Sequence, residues 1–315
     1  MTAPYRLLTM ASLIVLSACA TRMPAPPAGV DVGLPLPQTI TPLRWADVQD
    51  RPAPARGSVE PYGPAPEQFG VVRLPDPDRF GPGPYPVVAL IHGGCWLAAY
   101  DHQYFAHWAD WLTQQGFATW NLEYRRLGQD GGGWPGTLTD AADGVDHLRA
   151  LATRYPLDLH RVAVAGHSAG GHLALWLATR DQLAPNHRLY RASPLPLARV
   201  VGLAAIVDLA TYREGPPNSC HSSVDALLDG TPATVPEHYA AASPAQRLPP
   251  AAPVVLLHGR DDPIVDPASV QRFVPQVTAR GGRAELLILP GAGHFDLGAP
   301  TPASREAMRR ALRGL

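Results

Sequence analysis

A serine between small residues is the strongest candidate nucleophile in this sequence. The stretch GHSAG at 166–170 fits the pattern G-x-S-x-G, and it lies between an apolar run at 161–165 and a helical pattern at 169–179. A serine hydroxyl needs a neighbouring base to become a good nucleophile. The glycines suit a turn too tight for side chains, and the following helix aims its N–H groups at the serine. The pattern predicts that Ser168 attacks a carbonyl carbon; the alternative is a glycine-rich turn with an incidental serine.

The candidate base is His294, in a glycine-containing loop that follows the last predicted strand, 284–289. A nucleophilic serine in a strand–turn–helix context is followed along the chain first by an acid and then by a histidine. Among the twelve histidines, His294 alone combines that order with a position after the final strand. An exposed loop histidine is the alternative interpretation.

The candidate acid is Asp262, which follows the predicted strand 253–257 in the stretch HGRDDPIV at 258–265. A carboxylate at the end of a strand can reach the histidine, orient it and stabilise its charged form. Asp261 and Asp266 compete for this role. The stretch resembles the H-G-x-x-D-x-x-V pattern common in α/β hydrolases, and this resemblance selects Asp262, with Asp261 as the reserve candidate. The alternative for Asp262 is a residue that caps a turn or helix.

The stretch HGGCW at 92–96 follows the apolar run 86–91 and predicts an oxyanion hole. Backbone N–H groups in such a loop can stabilise the negative charge that develops on a carbonyl oxygen under attack. The candidate donors are the N–H groups of Gly94 and Cys95, joined by that of Ala169, with Gly93 also in the set. Trp96, Trp134 and His167 are candidate residues of the substrate pocket, although aromatic side chains near strand ends more often belong to a core.

Alternating strand and helix patterns from residue 70 predict a mostly parallel sheet with helices on both faces. The expected strands are 70–74, 86–91, 117–122, 161–165, 199–207, 253–257 and 284–289, and the expected helices are 104–115, 138–155, 169–179, 266–280 and 302–313. Residues 210–248 interrupt this alternation with polar, proline-rich sequence and a short helical pattern at 223–228. We expect this segment to be an insertion over the carboxyl edge of the sheet, where ligands of such folds bind.

The N-terminal residues predict export. Arg6 precedes an apolar run, 7–16, that is too short to span a bilayer. The sequence LSAC at 16–19 resembles the bacterial lipobox, which implies cleavage after residue 18 and lipid attachment at Cys19. The expected location is therefore a membrane facing the periplasm or the cell exterior. The alternative is an ordinary secretory signal and a soluble secreted protein.

Proline-rich sequence at 19–66 predicts an extended tether between the anchor and a catalytic domain at 67–315. Within it, the apolar residues Leu43, Trp45 and Val48 indicate that the part nearest the domain packs on it. Cys95 and Cys220 form an even pair in an exported chain, so a disulfide is one expectation and two buried thiols are the other.

The composition excludes several classes of function. The net charge of −1 creates no field that would attract nucleic acid, and no basic stripe is present. The cysteine and histidine spacing does not fit a metal site, and no glycine loop suits a phosphate. The expected mechanism requires no cofactor.

Together, HGGCW at 92–96, EYR at 123–125, GHSAGGHLAL at 166–175, HGRDDPIV at 258–265 and GHF at 293–295 resemble an esterase branch of the α/β hydrolases. This branch includes kynurenine formamidase-like and feruloyl or acetyl esterase-like proteins. The resemblance covers roughly residues 70–315, and it implies an α/β-hydrolase fold and hydrolysis of carboxylic esters. The cysteine after HGG and the histidine before the serine depart from the lipase-like relatives and favour the formamidase-like side.

The resemblance and the candidate residues predict a carboxylesterase with a small-molecule ester as its substrate. An arylformamidase or an exopeptidase-type amide hydrolase would use the same residues on a different bond. A non-catalytic binding module is the third hypothesis; it is disfavoured because every catalytic position holds a competent residue.

Overall fold

The computed structural model describes residues 1, 30–31, 41–52, 54, 57–217 and 220–315. Its strands are β1 (Val30–Asp31), β2 (Ser58–Pro61), β3 (Phe69–Arg73), β4 (Tyr85–Ile91), β5 (Ala118–Leu122), β6 (Leu157–His167), β7 (Arg199–Leu203), β8 (Val254–Gly259) and β9 (Ala284–Leu289). Within the described residues they form one sheet in the order β1-β9-β8-β7-β6-β4-β5-β3-β2. The first seven strands in this order, from β1 to β5, each pair in parallel with their neighbours. Strand β3 is antiparallel to both β5 and β2.

The helices are α1 (Trp45–Gln49), α2 (Pro77–Phe80), α3 (Ala106–Thr113), α4 (Gly136–Asp146), α5 (Leu148–Leu151), α6 (Ala169–Leu177), α7 (Leu209–Tyr212), α8 (Val224–Leu227), α9 (Pro236–Ala242), α10 (Pro267–Ala279), α11 (Phe295–Gly298) and α12 (Pro302–Ala311). Short 3₁₀ turns occupy Arg180–Gln182, Cys220–Ser223 and Pro244–Gln246.

The core lies on both faces of the sheet. Successive side chains of β4 point to opposite faces, so Val87 packs in one hydrophobic cluster and Val88 in the other. Helices α4, α6 and α10 cover the first face, and α3 and α12 cover the second. Burial of both faces explains why the sequences of the central strands read as continuous apolar runs. The predicted α/β-hydrolase architecture is therefore confirmed.

Several predicted boundaries were wrong. Strand β6 begins at Leu157, four residues before the predicted start, and its pairing with β4 shifts register between Pro86 and Val87. Strand β7 ends at Leu203, because the next residue, Ala204, adopts a positive φ of 47°. The helix predicted at 138–155 is divided into α4 and α5.

The predicted tether at 19–66 is too long, because part of it is built into the fold. Strand β2 pairs with β3 at one edge of the sheet, and helix α1 packs its Val48 into the second core cluster. Burial removes the apolar side chains of this proline-rich stretch from water, and the favourable free energy of that burial stabilises packing over an extended tether. The lipobox lies outside the described residues. In the part of the chain that the structure describes, no helix has both the length and the hydrophobicity needed to cross a bilayer.

Candidate functional site

Ser168 lies at a sharp turn between β6 and α6. Its φ of 56° and ψ of −118° lie in a region that residues with a side chain rarely adopt. The Ser168 N–H donates to the carbonyl oxygen of Leu203 at 2.8 Å, and the Ser168 carbonyl accepts from the N–H of His172 at 3.0 Å, so strand β7 and helix α6 hold the turn. Strained backbone of this kind concentrates at functional sites. It presents the Ser168 hydroxyl to the cavity above the sheet.

The flanking glycines are required by close backbone contacts. A Cβ atom on Gly166 would lie 2.1 Å from the carbonyl oxygen of Gly170, and one on Gly170 would lie 2.1 Å from that of Ile91. Both distances are far below van der Waals contact, so any side chain would push the turn apart. The steric reason expected from the sequence is the one observed.

The loop after β4 brings two N–H groups to the same cavity. Gly94 and Cys95 both line it, and among the described residues neither N–H donates to a protein acceptor. Gly94 has a φ of 101°, and a Cβ there would lie 2.3 Å from that of Tyr100, so glycine is needed. The N–H of Ala169 is the first of α6 and has no partner within the helix.

Gly93 does not belong among the oxyanion donors. Its N–H donates to the hydroxyl oxygen of Tyr104 at 2.6 Å. A donor committed to a buried partner is not available to a substrate oxygen, so the predicted set reduces to Gly94, Cys95 and Ala169.

Asp262 and His294 meet at the carboxyl edge of the sheet. His294 Nδ1 lies 2.8 Å from Asp262 Oδ2, and the other carboxylate oxygen accepts from the N–H groups of Ile264 at 2.8 Å and Val265 at 3.0 Å. Burial alone would raise the pKa of Asp262, but His294 and these hydrogen bonds hold it below its usual value. The carboxylate is therefore ionised at neutral pH. Asp261, the reserve candidate, is exposed and makes no contact of this kind.

Ser168 and His294 line one cavity. Among the described residues no hydrogen bond joins the Ser168 hydroxyl to the His294 imidazole. Catalytic hydrogen bonds are often long before substrate binds and tighten in the complex. The observed geometry thus places an oriented imidazole and a serine in the wall of the same cavity.

His167 ties the loop at 92–96, which we call the oxyanion loop after its predicted role, to the loop of His294. Its Nε2 lies 3.1 Å from the carbonyl oxygen of His294, which can only accept, so Nε2 carries the proton. Its Nδ1 then accepts from the Tyr104 hydroxyl at 3.1 Å, whose oxygen accepts from Gly93. Burial, together with the nearby charge of His294, lowers the pKa of His167 to about 3, so this ring is neutral. The chain of hydrogen bonds fixes both loops relative to one another.

A second polar network supports the oxyanion loop from below. The buried carboxylate of Glu123 contacts His92 Nε2 at 3.0 Å, His102 Nδ1 at 3.1 Å and the guanidinium of Arg126 at 3.1 Å. Burial alone would raise the pKa of Glu123, but His92, His102 and Arg126 hold it well below its usual value. Because His92 begins the loop, this network fixes the loop's entry point.

In the EYR stretch at 123–125, the sequence also suggests a buried ion pair between Glu123 and Arg125, and this prediction is wrong. Arg125 instead binds both oxygens of the fully buried Asp140, at 2.8 Å from Nε and 2.7 Å from a terminal nitrogen. Two parallel hydrogen bonds between a guanidinium and a carboxylate fix the relative orientation of the two groups. Each acidic residue thus has its own basic partner.

The cavity at Ser168 has a volume of about 600 Å³. Its walls come from six parts of the chain: helix α1, the oxyanion loop and its continuation, the turn of Ser168, the 210–248 insertion, the loop of Asp262, and the loop of His294. The lining residues are Trp45, Gly94, Cys95, Leu97, Tyr100, Tyr104, His167, Ser168, Pro217, Cys220, Ser222, Ser223, Ile264, His294 and Phe295.

Two of the three predicted pocket residues lie elsewhere. Trp96 is completely buried in the core and packs edge-on against His172. Trp134 stacks on His238, with ring centroids 4.1 Å apart, and does not line the cavity. His167 does line it, although its ring nitrogens are taken up by the hydrogen-bond chain.

Cys95 and Cys220 are joined by a disulfide, with their Cα atoms 4.8 Å apart. Of the two expectations that the sequence left open, the bonded pair is the one observed. The bond connects the oxyanion loop to the insertion, so it lies in the wall of the cavity. No group of three His, Cys, Asp or Glu side chains among the described residues is arranged to hold a metal ion.

Trp45 is the pocket residue that sequence reasoning assigned to the tether. Its ring packs edge-on against Tyr100 and Tyr104, with centroids 5.1 and 5.2 Å away, and it contacts Phe295 at 5.8 Å. The apolar spacing of Leu43, Trp45 and Val48 indicated packing on the domain, but not the site of packing.

For the ester hydrolysis that the sequence predicts, Trp45→Ala should change which acyl groups the cavity accepts. Removing this wall loses aromatic contacts and enlarges the cavity, so kcat/KM for p-nitrophenyl acetate should fall about 3- to 30-fold. The ratio of kcat/KM for the octanoate to that for the acetate should rise. Val48→Ala is the matched control, because Val48 lies on the same helix but does not line the cavity. If Val48→Ala shifts this ratio as much, the cause is loosening of the helix and not loss of the Trp45 wall.

Comparisons with known proteins identify a family and several relatives. A model of the BD-FAE family matches residues 77–276. The esterase LipC of Mycobacterium tuberculosis is 31% identical over 236 residues, which cover 71% of this chain and 57% of that protein. The probable isoprenylcysteine alpha-carbonyl methylesterase ICME of Oryza sativa subsp. japonica is 26% identical over 244 residues, which cover 75% of this chain and 57% of that protein.

The fold comparison adds a solved structure. Inhibited esterase B from Lactobacillus rhamnosis superposes with a TM-score of 0.69 at 20% identity, covering 84% of this chain and 89% of that one. At this identity the likeness shows a shared fold alone. The chain spans a little over half the length of the two curated relatives described above. Because the family match covers more than half of the 315 residues, the chain belongs to the BD-FAE family, and its sheet has the α/β-hydrolase fold.

Proposed function

We propose that this chain is a serine hydrolase that cleaves carboxylic esters, with Ser168 as nucleophile, His294 as base and Asp262 as the group that orients the base. The observation that carries the proposal is the 2.8 Å hydrogen bond between His294 and Asp262 at the edge of the cavity that Ser168 lines. Membership of the BD-FAE family and similarity to proteins named as esterases support it.

The proposed reaction proceeds through an acyl-enzyme. His294 Nε2 removes the proton from Ser168 as Oγ attacks the ester carbonyl carbon, and the resulting imidazolium is stabilised by the ionised Asp262. The carbonyl oxygen becomes an oxyanion and accepts from the N–H groups of Gly94, Cys95 and Ala169. His294 then protonates the departing alcohol. Water, deprotonated by the same imidazole, releases the acid and restores Ser168.

Fluorophosphonate labelling tests the nucleophile directly. Such a reagent forms a stable bond only with an activated serine, so the label should map to Ser168, and Ser168→Ala should remain unlabelled. Ser223→Ala is the matched control, because Ser223 lines the same cavity and should not be needed for labelling. Absence of label, or a label on Ser223, would contradict the proposed roles.

A substrate panel separates ester hydrolysis from the two amide alternatives. It contains p-nitrophenyl acyl esters, acetylated sugars, feruloyl esters, N-formyl anilines and aminoacyl anilides. We expect the esters to be the preferred class. Faster turnover of an N-formyl aniline would favour an arylformamidase, and faster turnover of an aminoacyl anilide would favour an exopeptidase-type enzyme.

We also propose that the chain is exported and anchored in a membrane through lipid on Cys19, facing the periplasm or the cell exterior. The lipobox sequence at 16–19 supports the anchor, and a disulfide in the catalytic domain suits an oxidising compartment. Several acyl chains would bind a membrane stably where one would not.

Cys19→Ala should move the protein from the detergent-extracted membrane fraction to the soluble fraction and abolish incorporation of a labelled fatty acid. The matched control is Cys220→Ala, which removes a different cysteine and should stay with the membrane. Fractionation of the unaltered chain into the soluble exported fraction would instead favour an ordinary secretory signal.

A further inference from the structure

The Cys95–Cys220 disulfide joins two walls of the proposed active site. Cys95 lies in the oxyanion loop between Gly94 and the buried Trp96, and Cys220 lies in the insertion, 125 residues later. Both cysteines line the cavity of Ser168 and His294. A single covalent bond therefore connects the group that would carry an oxyanion donor to the segment that covers the cavity.

The oxyanion loop adopts a conformation that needs to be held. Cys95 and Trp96 both have a φ of 57°, in the left-handed region that is costly for residues with a side chain. Such conformations persist where the surrounding structure over-determines them. The loop must therefore be fixed on both sides of Cys95.

Non-covalent contacts fix the two ends of the loop. At the start, the N–H of Gly93 donates to Tyr104 at 2.6 Å. At the end, the Trp96 side chain is fully buried, and its carbonyl accepts from Leu127 at 2.8 Å. Between these ends, the Gly94 carbonyl accepts from Leu97, and the side chain of Cys95 is bonded to Cys220. The disulfide is thus the contact that orients the middle residue.

The insertion is held at the cavity by the same bond. Pro217, Ser222 and Ser223 line the cavity on either side of Cys220. The insertion has other anchors further along, because its Ala241 and Ala242 carbonyls accept hydrogen bonds from Trp176 and His172 of helix α6. Cys220 is the point at which it is tied to the oxyanion loop.

We propose that the Cys95–Cys220 disulfide is a positioning element that makes hydrolysis depend on oxidation. The inference rests on the proposed function of the Ser168 site. In the oxidised chain, the bond holds the Cys95 N–H towards the substrate carbonyl and the insertion over the cavity. A dithiol reductant would donate two electrons and two protons, giving two cysteine thiols and the cyclic disulfide of the reductant. The hydrolytic activity of the chain would then be low in a reducing cytosol and full after export.

Reduction of the full-length protein tests the proposal without any substitution. With dithiothreitol, kcat for p-nitrophenyl acetate should fall about 10- to 100-fold, because a displaced oxyanion donor weakens transition-state binding. KM for this small ester should change much less. Re-oxidation should restore kcat. Near- and far-UV circular dichroism at the assay temperature should remain native throughout.

The double variant Cys95→Ala/Cys220→Ala is the matched control. It retains Cys19, so any effect of dithiothreitol that involves this residue appears in both proteins. Its kcat should equal that of the reduced wild type and be insensitive to dithiothreitol, and each single variant should lose as much as the double variant.

The outcomes separate this inference from the proposed function. If the oxidised wild type neither hydrolyses esters nor reacts with a fluorophosphonate, the proposed function fails. If it does both, and the reduced protein or the double variant keeps the same kcat, the positioning role is overturned. Loss of native circular dichroism on reduction would also overturn it, because the bond would then hold the fold and not the loop.

Discussion

Ser168→Ala is expected to lower kcat/KM for an activated ester such as p-nitrophenyl acetate by about 10⁴- to 10⁶-fold. The variant keeps the cavity and the oxyanion N–H groups of Gly94 and Cys95, but it removes the oxygen that attacks. Residual turnover should come from water bound beside His294, stabilised by the same N–H groups. Steady-state kinetics with highly purified protein measure the loss.

Ser168→Gly provides a second readout at the same position. The positive φ of 56° is costly for serine and alanine but not for glycine. Both variants should be inactive. In denaturant titrations, the free energy of unfolding of Ser168→Gly should equal that of Ser168→Ala or exceed it by up to about 1 kcal/mol. Equal inactivity, with Ser168→Gly the more stable of the two variants, would show that the nucleophile lies on strained backbone. If Ser168→Gly were about 1 kcal/mol less stable than Ser168→Ala, the backbone at this turn would carry no strain.

The positions of Ser168, Asp262 and His294 were open to prediction because each follows a strand. Parallel strands bring their carboxyl ends to one edge of the sheet, so residues far apart in sequence converge there. Apolar strand patterns and glycines located those ends well enough to choose the residues. The sequence could not decide whether Cys95 and Cys220 meet, because that depends on the path of the insertion.

The tryptophans show where sequence patterns are insufficient. Trp96 was a pocket candidate because it ends the predicted oxyanion stretch, but its φ of 57° turns its side chain into the core. Trp45 was assigned to a tether because of the prolines around it. Residue type and order do not reveal the direction of a side chain after an irregular turn.

The partner of Glu123 was misjudged for a related reason. Residues two apart share a face only while the chain remains a strand, and β5 ends at Leu122. Beyond that point the alternation no longer applies, and Arg126 pairs with Glu123 whereas Arg125 turns to Asp140. Correct pairing therefore required the strand boundary to within one residue.

Asp262→Asn should reduce kcat for ester hydrolysis by about 10⁴-fold without removing either the serine or the histidine. The asparagine oxygen can still accept from Ile264 and Val265, as Asp262 Oδ1 does. Its NH₂ group then faces His294 Nδ1, so that nitrogen must accept, and the ring proton moves to Nε2. An imidazole protonated at Nε2 cannot take the proton of Ser168. The loss should appear in kcat, with KM for p-nitrophenyl acetate nearly unchanged.

Asp261→Asn is the matched control, because Asp261 is the adjacent carboxylate, exposed and without contact to His294. It should keep nearly the wild-type kcat; the reverse pattern would transfer the acid role to Asp261.

The pH dependence of stability gives an independent check on Asp262. The folded chain lowers the pKa of Asp262, so its stabilising contribution is complete above its unfolded pKa of about 4 and is lost as the pH falls through the lower folded value. The difference in free energy of unfolding between wild type and Asp262→Asn should therefore be constant at neutral pH and shrink only in strong acid. A difference that disappears near pH 6 would mean that Asp262 is not the ionised partner of His294.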